Sequence, residues 1–119
     1  MQLAADVLIG LVALAHLYFL VLEMLLWKTP FGRKVFGTTE AFAKDTAVLA
    51  ANQGLYNGFL AAGLGWALVA RGALYTPLAT FFLGCVVVAG VFGAATANVR
   101  ILFVQAVPAL LALGALWLR

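Results

Sequence analysis

Four long apolar runs, separated by polar connections, organise the chain. They cover residues 3–27, 46–70, 78–97 and 101–118. Each run is close to the ~20 mostly apolar residues that an α-helix needs to cross ~30 Å of hydrocarbon. Because backbone groups inside a bilayer must be paired within their own segment, the pattern predicts an all-α integral membrane protein. We expect a single domain folded as a bundle of four transmembrane helices.

Residues 28–45 form the one long polar connection. Basic and acidic side chains alternate there with phenylalanines, which is typical of a segment at the membrane interface, with aromatic rings toward lipid and bases toward headgroups. Thr38 and Thr39 stand before Glu40 as helix N-caps do. The sequence therefore predicts that a helix begins at these threonines.

The other two connections are short. Residues 71–77 are predicted to be a tight loop, with Pro77 in the first turn of the next helix, where proline is tolerated. Residues 98–100 form a very short turn. Pro108 lies inside the fourth run, so we expect it to kink that helix and to free a backbone carbonyl one turn earlier.

The composition excludes several classes of protein. Hydrophobic residues make up 66% of the chain, charged residues 9%, and the mean hydropathy is +1.13. A soluble domain is about 45–50% apolar and about 25% charged, and a small chain has too little interior to hide this excess. A soluble globular domain and a disordered chain are thereby excluded. The single cysteine, Cys85, cannot form an intramolecular disulfide, and the net charge of +3 is too small to indicate a nucleic-acid partner.

Basic residues indicate the orientation in the membrane. The connections after the first and third runs carry Lys28, Arg33, Lys34, Lys44 and Arg100, whereas the opposite side carries Arg71 and Arg119. Basic loops stay in the cytoplasm, so loop 28–45 is predicted to be cytoplasmic and both termini to lie outside. Trp27 and Trp117 stand near opposite interfaces, as an aromatic belt requires.

Polar side chains inside apolar helices are costly and usually face the bundle or a cavity. This small set supplies the candidates for ligand binding or proton relay: His16, Glu23, Asn52, Gln53, Tyr56, Asn57, Asn98, Arg100 and Gln105. His16 and Glu23 are two helical turns apart, about 10 Å along the axis and on one face. Gln53 and Asn57 also share a helix face.

The predicted topology places most of these groups at one end of the bundle. The first and third helices end at the cytoplasm and the second and fourth begin there, so all four helices contribute polar groups at compatible depths. The sequence predicts a polar cavity that opens to the cytoplasm and narrows toward His16 and Asn57 near the midplane. The outer half of the bundle is predicted to be almost wholly apolar.

Each candidate also has a structural interpretation. Glu23 could extend to the interface or pair with Lys28 or Arg100, His16 could join two helices by hydrogen bonds, and the amides could hold helices together. One histidine, one cysteine and one intramembrane carboxylate do not form a zinc set, so no metal site is predicted. A haem on His16 alone would need a larger cavity than the bundle offers.

Small residues recur at helical spacing. Gly54, Gly58 and Ala62 form one row, and the third helix carries the rows Gly90/Ala94 and Ala89/Gly93/Ala97. Such rows let helices approach closely, within the chain or between subunits. Because four short helices leave a large lipid-facing surface, we expect a homo-oligomer.

Two strings resemble a known family. The first runs from His16 through Glu23 to Trp27 and continues in Thr29-Pro30 and in residues 32–37, Gly-Arg-Lys-Val-Phe-Gly. The second is Ala-Ala-Asn-Gln-Gly-Leu-Tyr-Asn-Gly at residues 50–58. These strings resemble the small bacterial membrane proteins known as domain of unknown function 1304. The resemblance covers nearly the whole chain and implies a four-span integral membrane protein, which we expect in the bacterial inner membrane. It implies no activity.

Three functions fit this pattern. The one that we favour is a proton-linked transporter of a small lipophilic or cationic molecule, in which Glu23 binds the proton or cation, His16 relays protons and the amides orient the ligand. A membrane-embedded isomerase or hydrolase of a lipophilic molecule would use His16 and Glu23 as acid and base and Arg100 or an asparagine to polarise an oxygen. In a structural membrane protein, the polar groups would only join helices.

The predicted topology can be tested by cysteine labelling of spheroplasts in a Cys85→Ser background. We expect a membrane-impermeant maleimide to label Ala73→Cys in intact spheroplasts and Lys34→Cys only after permeabilisation, because basic loops remain cytoplasmic. The opposite pattern would show that loop 28–45 lies outside.

Overall fold

The described part of the chain, residues 2–119, is built from helices joined by short turns in this computed structural model. The elements, in order, are α1 (Gln2–Leu20), a first π-turn (Val21–Leu25), α2 (Pro30–Phe36), α3 (Glu40–Ala70), α4 (Gly72–Thr96), a second π-turn (Leu102–Ala106) and α5 (Val107–Leu118). No strand occurs between residues 2 and 119. The predicted all-α class is confirmed.

Two helical segments are long and apolar enough to cross a membrane. They are Gln2–Leu25, which consists of α1 and the first π-turn, and Gly72–Thr96, which is α4. Leu102–Leu118 is a shorter apolar helix. The early turns of α3 carry Glu40, Lys44 and Asp45, which lower the hydropathy of that helix. Two apolar spans agree with a membrane protein, and four crossings stay a prediction.

The tight loop predicted at residues 71–77 is wrong, because α4 begins at Gly72. Arg71 and Gly72 reverse the chain through the left-handed region, with φ of 54° and 55°. Tyr75 and Ala79 are both buried one turn apart, so the packed face of α4 starts before Pro77. The proline consequently lies inside the helix.

The last helix is distorted just before its proline. In the second π-turn the Val107 N–H bonds the carbonyl of Leu102, five residues back. Pro108 has no N–H to donate, and it lies in the first turn of α5, which begins at Val107. The disturbance expected one turn before Pro108 therefore takes the form of a π-turn.

The connection around residues 28–45 contains a short helix between two threonine caps. Thr29 Oγ1 accepts a hydrogen bond of 3.1 Å from the Gly32 N–H, and Gly37, at φ 68°, ends α2. Thr39 Oγ1 accepts one of 3.1 Å from the Phe42 N–H. The prediction of a helix start at Thr38 or Thr39 is confirmed, with Thr39 in the capping role.

The chain divides into two compact units. Unit 2 comprises Ala15–Phe59, and unit 1 comprises Leu60–Arg119 with the start of α1 as far as Leu14. Unit 1 has its own apolar core, and the most enclosed large side chains in it are Ile9, Leu64, Leu83, Val86 and Leu116. Unit 2 encloses Leu22 and His16.

Glycine allows α4 to pack directly on the second π-turn. A Cβ built on Gly90 would lie 2.6 Å from the backbone nitrogen of Ala106 and 2.8 Å from its Cβ. A Cβ built on Gly93 would lie 3.0 Å from Cγ2 of Ile101. These members of the small-residue rows therefore make contacts within the chain.

The close approach at Gly90 gives a stability prediction. Gly90→Ala should lower the free energy of unfolding by about 1–3 kcal/mol, because a backbone atom has to move to make room. The thermal unfolding of the protein in a mild detergent, followed by circular dichroism, measures this change.

Gly84→Ala is the matched control on the same helix, where an added Cβ meets nothing within 4 Å. It should stabilise the protein by about 0.5–1 kcal/mol through reduced backbone entropy. Equal effects of the two substitutions would contradict the packing described here.

Candidate functional site

Glu23 lies in the middle of the first π-turn, where the helix that began as α1 widens. The Leu26 N–H bonds the carbonyl of Val21, five residues back, at 3.1 Å. A π-turn inserts an extra residue into the helix and changes the direction of the side chains around it, and such turns are frequent at functional sites. The acid predicted from the sequence therefore stands at an irregular point of its helix.

The carboxylate of Glu23 accepts a hydrogen bond from Asn57 of α3. Asn57 Nδ2 lies 2.5 Å from Glu23 Oε1, within hydrogen-bonding distance. The Asn57 side chain is only 6% exposed, and Glu23 is half-buried. The structure thus brings together two of the predicted site residues, and Glu23 pairs with an amide rather than with Lys28 or Arg100.

A close helix approach makes this pairing possible. A Cβ on Gly54 would lie 2.6 Å from Met24 Cγ and 3.1 Å from Glu23 Cβ. One turn further along α3, a Cβ on Gly58 would lie 2.7 Å from Leu20 Cδ1. Because these two glycines have no side chains, the residues around Glu23 pack directly against α3 on both sides of Asn57. The short asparagine side chain therefore reaches the carboxylate.

His16 is the other buried polar side chain of unit 2. It is 1% exposed, and its ring meets Phe19 edge to face, with 5.2 Å between centroids and 72° between planes. The phenylalanine limits the orientations of the imidazole. His16 and Glu23 lie on the same continuous helical segment, about two turns apart.

Three further candidates lie on the surface of α3. Asn52 and Gln53 are exposed, and Tyr56 is half exposed with its ring 6.0 Å from that of Phe59. They lie close to Asn57 in sequence, but it is the Asn57 side chain that donates a hydrogen bond to the carboxylate of Glu23. Their contribution to a ligand site stays a prediction.

The remaining three candidates belong to unit 1. Asn98 caps the last helical segment, because its Oδ1 accepts a hydrogen bond of 2.9 Å from the Arg100 N–H. The Arg100 side chain is exposed. Gln105 is half-buried within the second π-turn. Asn98 therefore has a local role in the backbone turn, and the cavity predicted from all four helices stays a prediction.

A polar cluster joins the start of α1 to the start of α4, in a part of the chain that was predicted to be almost wholly apolar. Asp6 Oδ1 accepts hydrogen bonds from Gln2 Nε2, Arg71 NH1 and the Tyr75 hydroxyl, at 2.9, 2.8 and 2.6 Å. The bond to the Asp6 carboxylate raises the pKa of Arg71. Asp6 itself was the available signal, because a carboxylate within an apolar run needs a partner.

Among residues 2–119, no group of three or more histidine, cysteine, aspartate or glutamate side chains stands close enough to hold a metal ion. The chemistry that the Glu23–Asn57 pair can perform is proton or cation binding. A carboxylate can bind either a proton or a cation, and the amide beside it can orient a polar ligand.

Comparison with known proteins agrees with the resemblance found in the sequence. A family model matches residues 10–117, and the family is described as "Protein of unknown function (DUF1304)". No curated protein and no solved structure matches the chain. The matched region includes His16, Glu23 and Asn57, and the family description names no activity.

The Glu23–Asn57 pair gives a second stability prediction. Asn57→Ala should lower the free energy of unfolding by about 1–3 kcal/mol, because it leaves a half-buried carboxylate without its donor. Gln53→Ala, on the exposed surface of α3, should change it by less than about 0.5 kcal/mol. Detergent-solubilised variants compared by thermal unfolding supply both values.

A double-mutant cycle separates the pair from general packing. In a Glu23→Ala background the loss caused by Asn57→Ala should shrink by about 0.5–3 kcal/mol. An undiminished loss would mean that Asn57 stabilises the protein through other contacts.

Proposed function

The chain belongs to the family described as "Protein of unknown function (DUF1304)", and we propose that it is an integral membrane protein that binds and transports a small lipophilic or cationic molecule. Transport is linked to protons at Glu23. The observation that carries the proposal is the hydrogen bond between Glu23 and the buried Asn57. The proposal includes four membrane crossings, a location in the bacterial inner membrane and both termini outside.

The cost of the carboxyl group supports a functional site. A carboxylate within an apolar helix is expensive, and such residues mark ion or substrate pathways by default. Packing alone would be served better by an aliphatic side chain at position 23, because a buried polar pair is often no more stabilising than apolar residues of similar volume. The presence of an acid at this position favours a role that requires its charge.

The amide partner suits a carboxyl group that changes protonation state. Asn57 offers two N–H donors to the carboxylate and a carbonyl acceptor to the protonated acid. A rotation of the amide therefore keeps the pair hydrogen-bonded in both states. A cation and a proton compete for the same oxygens, and this competition couples their movements.

His16 is proposed as the second proton carrier. A neutral imidazole has one donor and one acceptor nitrogen and titrates near neutral pH in water. Since about two helical turns separate it from Glu23, a proton passes between them through a bound ligand or water. Asn52, Gln53 and Tyr56, which lie in the same unit as Glu23, are proposed to orient the ligand.

Proton-linked transport can be tested in proteoliposomes that contain a pH-sensitive dye. The addition of ethidium or tetraphenylphosphonium should drive a proton flux that Glu23→Gln lowers at least about tenfold, because a charged contact of about 1.5–3 kcal/mol is lost. Glu40→Gln, an acid-to-amide change at the exposed start of α3, should leave the flux unchanged.

Protein-free liposomes supply the baseline. The proposal fails if neither cation produces a flux above that baseline, or if Glu23→Gln transports as fast as the unchanged protein. Asn57→Leu tests whether Asn57 positions the Glu23 carboxyl group. This variant keeps the carboxyl group but should weaken the coupling between cation and proton transport.

A further inference from the structure

Two arginines of unit 1 converge on a single aromatic ring. The guanidinium carbon of Arg71 lies 5.3 Å from the centroid of the Tyr75 ring, and that of Arg119 lies 5.1 Å from it. Cation–π attraction holds a guanidinium at such distances. Arg71 comes from the turn between α3 and α4, and Arg119 follows the end of α5. The fold thus gathers two positive groups from distant parts of the sequence.

Asp6 is the side-chain carboxylate that contacts this cluster. Asp6 forms its ion pair with Arg71. Arg119 instead donates to neutral groups, the hydroxyl of Thr76 at 2.8 Å and the carbonyl of Leu116. Asp6 therefore offsets the charge of one arginine, and the cluster retains an affinity for a further anion.

The helix ends that carry this cluster also expose apolar side chains. Leu118, beside Arg119, is 79% exposed, and Leu74, beside Tyr75, is 50% exposed. Trp117 is 63% exposed, and its indole N–H donates to Thr80 Oγ1 at 3.1 Å. Tryptophan with one apolar and one hydrogen-bonded side is typical of the boundary between acyl chains and headgroups.

We propose that Arg71 and Arg119 bind the phosphate group of an anionic phospholipid. A guanidinium presents paired N–H groups that match two phosphate oxygens, and it loses its water more readily than an ammonium does. Tyr75 holds both guanidinium groups before the lipid arrives, which lowers the entropic cost of binding. The exposed leucines and Trp117 stand beside the acyl chains of the same lipid. The site lies in unit 1 and does not depend on the transport proposed above.

Lipid binding can be measured by native mass spectrometry of the full chain in a neutral detergent, titrated with phosphatidylglycerol. Arg71→Gln and Arg119→Gln should each weaken the tightest lipid site about fivefold, which is the contribution of one basic residue beside anionic headgroups. Arg100→Gln, a change at an exposed arginine, should alter it by less than about twofold.

Asp6→Asn separates a lipid site from a purely structural ion pair. It breaks the same ion pair as Arg71→Gln but leaves the guanidinium free, so phosphatidylglycerol should bind about two- to fivefold more tightly. A loss of lipid affinity in Asp6→Asn equal to that in Arg71→Gln would overturn the proposal, because both changes would then act through damage to the fold. Equal lipid affinity of the unchanged protein and the Arg71→Gln/Arg119→Gln double variant would also overturn it.

Two further titrations identify the source of the phosphate. Phosphatidylcholine carries the phosphate with a cancelling positive charge, and we expect it to bind at least about fivefold more weakly than phosphatidylglycerol. Inorganic phosphate in large excess should fail to displace phosphatidylglycerol, since it makes no contact with the apolar side chains. Full displacement by inorganic phosphate would reject the lipid headgroup in favour of a free oxyanion.

Discussion

A polar group surrounded by apolar helices has to find its partner within the protein, and this requirement shapes both polar clusters of the chain. Glu23 meets Asn57 in unit 2, and Asp6 meets Arg71 and Tyr75 in unit 1. In each case one partner comes from another helix, Asn57 from α3 and Tyr75 from α4. Each acid thereby adds a directional contact between elements to the apolar packing around it.

Backbone irregularity accompanies the polar residues. Glu23 and Gln105 each lie within a π-turn, in which one additional residue changes the direction of the side chains relative to a regular helix. The two turns have different origins. The second precedes Pro108, whose missing N–H disrupts the regular bonding pattern, whereas the first coincides with the close approach of Gly54 to Met24 and Glu23.

Several features of the fold and site could be predicted from local sequence. The helix start at Thr39 follows from a short-range cap, and the disturbance before Pro108 follows from the chemistry of proline, since both causes lie within one turn. Glu23 and Asn57 could be selected as candidates because polar residues are rare in such helices. Their pairing could not be predicted, because it depends on the glycines that let α3 approach, and a row of glycines is equally compatible with a contact between subunits.

The sequence by itself determined the all-α class, the apolar character of the helices and the polar residues that need an explanation, since these follow from composition and from backbone hydrogen bonding. Only the tertiary structure decided that α4 begins at Gly72 and that Asp6, Arg71, Tyr75 and Arg119 gather into one cluster. The physical reason is that hydrogen bonds and cation–π contacts act over a few ångströms. Residues as far apart in sequence as Asp6 and Tyr75 meet only after the helices have packed.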